Sequence, residues 1–139
     1  MDKVWWDIHI AEIEQVFQGE RHTVNALPNN YNVQRHPPTQ FNCYGNSGAG
    51  AITLAAKGGA KRIILLGYDS QKTGGKAHWH GDHPPTLGNA GHIDKWQKRF
   101  AEQAKDFADI EIINCSRKTA LNCFSRAKLE DVLHEDAAT

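Results

Sequence analysis

Apolar residues near the start of the chain recur at three- and four-residue steps: Trp6, Ile10, Ile13 and Phe17. That spacing gathers them on one side of a helix, so a helix is expected over residues 5–18, with Gly19 as its stop. Arg21 to Leu27, holding Thr23 and Val24, reads as a short strand ending before Pro28. Residues 28–45 carry no apolar period and are rich in Asn, Pro and Gly, which predicts a long loop. Small residues then open a second helix at Asn46-Ser47-Gly48-Ala49-Gly50, running through Ile52 and Leu54 to Gly58-Gly59, with Ser47 as a natural N-cap. The unbroken apolar run Ile63 to Leu66 predicts a strand covered on both faces.

Residues 68–91 form a second long polar stretch. A third helix is expected over 93–108, with Ile93, Trp96, Phe100, Ala104 and Phe107 on one face and Lys95, Lys98, Glu102 and Lys105 on the other. Ile110 to Asn114 reads as a third strand, 116–124 as irregular, and Ala127 to Leu133 as a short helix before a frayed end at 135–139. This alternation predicts an α/β fold: a small three-layer Rossmann-like parallel sheet with helices on both faces, in one domain over residues 1–139. Three strands are few for such a sheet, so a truncated version is expected.

Composition narrows the function classes. Sixteen basic and sixteen acidic residues cancel, which argues against duplex nucleic acid or an anionic membrane as partner. Three cysteines, Cys43, Cys115 and Cys123, make no C-x-x-C pair, so a reducing cytoplasm is expected. No stretch is apolar enough to span a bilayer, and the start lacks the pattern of a signal peptide.

Candidate chemistry concentrates in His78-Trp79-His80-Gly81-Asp82-His83. As H-x-H-x-D-H it resembles the first zinc-ligand motif of metallo-β-lactamase-type hydrolases. His78, His80, Asp82 and His83 are therefore candidate ligands for a zinc or manganese ion, with His92 and Asp94 as further candidates. That fold needs more strand material than this chain offers, and the same histidines equally suit a substrate loop with acid/base groups. The cluster follows the best strand and Gly67-Tyr68-Asp69, and open α/β sheets bind ligands beyond strand carboxyl ends. Asn46, Ser47 and Gly48 at a helix start suit a phosphate, or simply cap and pack the helix. Asn114-Cys115-Ser116, after the last strand, would line the same crevice. Trp5 and His9 would flank a site or cover a surface.

Asn46-Ser47-Gly48, the stretch from Gly59 to Asp69, His78 to Pro84, and Ile112 to Ser116 with Ala120-Leu121 and Phe124 together resemble a group of phage and prophage proteins. The likeness covers roughly Trp5 to Leu133. More distantly, that group is similar to sialyltransferase-like and pterin-pyrophosphokinase-like α/β proteins. The resemblance implies that Asn46, Ser47 and Gly48 contact a nucleotide and that Asp69 borders the donor site. It also implies that one of His78, His80 or His83 acts as base for an attacking hydroxyl. Such relatives begin with a strand and a Gly-Pro-Ser-like loop, whereas this sequence opens on the Trp5-Trp6 helix. A shortened relative, or a start upstream of Met1, is expected.

Three functions are expected in turn. The first is nucleotide or nucleotide-sugar binding of glycosyltransferase-like ancestry in the host bacterial cytoplasm. The second is a metal-dependent hydrolase. The third is a non-enzymatic phage accessory protein that self-associates through its aromatic helix.

Overall fold

The computed structural model describes residues 3–72, 74–76, 83, 87 and 93–137, with side chains described as far as 134. Among the described residues it is a small α/β fold with two parallel sheets, one of two strands and one of three. Helix α1 spans Lys3–Val16 and buries Trp6. Strand β1 (His22–Thr23) pairs in parallel with β2 (Gln34–Arg35), across a 3-10 turn at Asn29–Tyr31. Helix α2 is Ser47–Lys57, β3 is Arg62–Leu65, α3 is Ile93–Asp106 and β4 is Glu111–Asn114. A two-residue strand β5 (Ser125–Arg126) and helix α4 (Leu129–Ala137) follow.

β3 and β4 run parallel with Arg62 opposite Glu111 and Leu65 opposite Asn114. Parallel neighbours need a crossover, and α3 lies on that connection. β5 joins the far side of β4, Asn114 opposite Arg126, after an irregular link over 115–124. Ile112 and Ile113 point to opposite faces of the central strand and both are buried. β4, not β3, is therefore the strand covered on both faces: Ile63 and Ile64 stay half-buried.

Four expectations change here. Residues 28–45 hold a strand, β2, whose two side chains are exposed and so leave no apolar alternation to read. Backbone bonds make it: Gln34 N–H donates to the Arg21 carbonyl at 2.7 Å and His36 N–H to that of Thr23 at 2.7 Å. β1 belongs to this second sheet rather than to the main one. The cap of α2 is Asn46, extended at φ −146° and ψ 134°, whose side chain accepts from Gly48 and Ala49 N–H; Ser47 is already helical. Finally, α4 starts at Leu129 and continues to Ala137, past the expected fraying point.

The core joins both helices to the sheet: Ala49 and Ile52 from α2, Leu65, Phe100 from α3, Ile112, and Leu121 and Phe124 from the irregular link. Phe100 and Phe124 meet edge to face, 6.1 Å between centroids. Gln103, fully buried in α3, donates to the Ala49 carbonyl at 2.7 Å and to Thr53 Oγ1 at 3.0 Å, tying α3 to α2. Among the described residues, no helix is long and apolar enough to cross a membrane.

Candidate functional site

Beyond β3 the chain turns at Gly67, φ +74°, a conformation that glycine adopts without a Cβ clash. Tyr68 follows and is fixed from four directions. Its N–H donates to Ser116 Oγ at 2.8 Å, and its carbonyl accepts from Thr119 Oγ1 at 2.6 Å. Its phenol donates to the Gly48 carbonyl at 3.0 Å, and its ring meets Phe100 edge on. Burial raises the phenol pKa, so the hydroxyl stays a donor. Gly48 is the floor for this ring: a Cβ there would lie 3.0 Å from Tyr68 Cε1.

Asp69 comes next, half-buried, its carbonyl accepting from Ala120 N–H at 2.8 Å. Ser70 is buried at φ +48°, a left-handed conformation uncommon for serine. Its hydroxyl has no partner among the described residues. Strain of this kind collects where surrounding structure holds a loop in place for a ligand.

The groove at the carboxyl ends of β3 and β4 encloses about 800 Å³, and Asp69, Cys115, Arg117, Lys118, Arg126 and Lys128 are among its walls. Arg126 is oriented by the backbone: Nε donates to the Asn114 carbonyl at 3.1 Å and a terminal nitrogen to that of Ser116 at 2.7 Å. Asn114, expected to line the crevice, is instead fully buried; its Oδ1 accepts from Ser116 N–H at 3.0 Å and its Nδ2 reaches Thr119 Oγ1 at 3.2 Å. Asn114 thus supports the groove from within, while Cys115 and Ser116 line it.

A second pocket, about 350 Å³, opens on the other side of the α2 start. Asn46 and Ser47 line it together with His22, His36, Phe41 and Cys43. The sequence's nucleotide-contact set is therefore spread over two pockets, Asn46 and Ser47 on one and Asp69 on the other, with Tyr68 bonded to Gly48 between them. His22 and His36 escaped the sequence reading. Their rings are 14 positions apart, yet His22 Nδ1 lies 2.9 Å from His36 Nε2. Only the β1–β2 register brings them together, and nothing in local spacing signals it. His36 also stacks on Phe41 at 4.8 Å. Burial, then the His22 and Lys57 charges, hold the His36 pKa below its ordinary 6.5.

His78, His80 and Asp82 lie outside the described residues, as does His92. His83 is half-buried and has an interaction partner. Asp94 is exposed in the first turn of α3. Among the described residues, no group of three or more His, Cys, Asp or Glu is placed to hold a metal ion. Trp5 and His9 stack on each other along α1, 4.9 Å between rings, with Trp5 edge on to Trp6. No family model matches the chain, and neither a curated protein nor a solved structure does.

Proposed function

We infer that the chain binds a nucleotide or nucleotide-sugar beyond β3 and β4, on a small Rossmann-like three-layer scaffold of phage type and glycosyltransferase-like ancestry. The observation that carries this reading is the groove itself: Arg117, Lys118, Arg126 and Lys128 line a space of about 800 Å³ together with the two carboxylates Asp69 and Glu130. Cations at this density suit phosphate oxygens, and a carboxylate beside a strand end suits ribose or sugar hydroxyls. The volume is that of an ordinary small-molecule site. If group transfer follows binding, His78, His80 or His83 is the base to test for the attacking hydroxyl.

Calorimetric titration with nucleoside mono- and diphosphates tests the reading. Binding is expected for at least one of them, weakened at least about tenfold by Lys118→Ala and again by Asp69→Ala. Silence across the whole panel would sink it. One observation favours a second reading, self-association: α1 leaves Val4, Ile8 and Val16, with the adjoining Phe17, exposed.

A further inference from the structure

We propose that His22 and His36 form a proton-operated latch that holds the β1–β2 sheet at the rim of the pocket at the start of α2, and that a second proton on the pair releases it. The geometry fixes the logic. A hydrogen bond between two imidazole nitrogens 2.9 Å apart needs one donor and one acceptor. Glu20 Oε2 lies 3.3 Å from His22 Nε2. With no more than one added proton, the pair still offers one donor and one acceptor between the rings. A second proton leaves two donors and two like charges facing each other, and the contact cannot survive.

Every charged neighbour pushes the same way on the second ring. Lys57, at the end of α2, and His22 both disfavour a charge on His36, as does its partial burial. Glu20 lies against the His22 ring. Arg21, just before β1, and Arg35, in β2, flank the two histidines in sequence and add positive charge to the sheet. Cys43, from the chain leading into α2, lines the same pocket and is neutral when protonated. Because the folded pKa of His36 is depressed, the stability of the closed state is complete above 6.5 and is lost as pH falls through the lower, folded value.

Opening has a local consequence. Backbone bonds hold the sheet, among them Gln34 N–H to the Arg21 carbonyl and His36 N–H to that of Thr23, and the ring pair clasps it from the side. Releasing the rings frees these strands and widens the mouth of a pocket of about 350 Å³ that contains Asn46 and Ser47. The latch works whatever ligand the protein takes, so its test is independent of nucleotide binding.

The experiment is amide hydrogen exchange by NMR on the wild-type chain at about pH 7.5 and about pH 5, corrected for intrinsic rates, with the imidazole resonances followed in parallel. Protection at Gln34 and His36 should fall at least about tenfold at the lower pH, in step with His36 ring protonation, while amides of α2 and β4 keep theirs. In His36→Gln, whose amide still donates but does not titrate, the pH effect on Gln34 should vanish. Unchanged protection at Gln34 and His36 would overturn the latch. So would a loss shared by α2 and β4, or one that persists in His36→Gln; if that variant does not fold, a Gln34 amide that opens out of step with His36 protonation does the same.

Discussion

Asn46 and Ser47 stand side by side, and either side chain is chemically able to cap α2. Backbone conformation decides between them: Asn46 is extended while Ser47 is helical. Asn46 Oδ1 accepts from Gly48 N–H at 2.8 Å and from Ala49 N–H at 3.2 Å. Asn46→Ala should therefore cost about 1 kcal/mol by chemical denaturation, and Ser47→Ala clearly less. The reverse order would return the cap to Ser47. This pair also shows what of the site was legible. Residue types with one unmistakable habit, such as the glycine turn at Gly67 and the small residues opening α2, set the local backbone where the sequence puts it. What each side chain faces is set by tertiary neighbours: Tyr68 over Gly48 divides one expected site into two pockets. The His22–His36 contact depends on a register that no local pattern encodes.

At the level of elements, long periodic segments and the strand at β1 were readable, while β2 and β5 were not. α1, α2, α3, β3 and β4 all fall within a few residues of where their apolar spacing puts them. β2 and β5 expose both of their side chains and so carry no apolar alternation to read. Gln103 marks a different blind spot, since a polar residue beside the apolar stripe of α3 reads as solvent-facing, yet it is fully buried against α2. Its Nε2 makes two bonds, while its Oε1 has no partner among the described residues. Gln103→Leu loses the bonds and also removes the orphan oxygen, for a net cost of about 1 kcal/mol. Gln103→Ala adds a cavity and should cost at least about 2 kcal/mol. Thermal unfolding of the two variants checks the order; equal losses would mean that the amide bonds, not the packed volume, hold α3 on α2.

For the whole molecule, the open question is what meets α1. Trp6 anchors the helix, but Val4 and Ile8, one turn apart and therefore on one side, are 48% and 49% exposed, with Val16 at 75% and Phe17 at 49%. Apolar surface presented in a row, rather than singly, marks a contact site. The sixteen positive and sixteen negative residues leave no net charge to keep copies apart. Sedimentation velocity should accordingly show mass rising with concentration, and Ile8→Lys should restore the monomer without lowering thermal stability, because that side chain is already half in water. A chain that stays monomeric at every concentration would end the self-association reading. A dimer lost in Ile8→Lys with nucleotide binding intact would separate the two surfaces, making α1 the assembly face and the groove beyond β3 and β4 the ligand face. A dimer with no nucleotide bound by either form would instead make assembly the function and leave the cationic groove as scaffold.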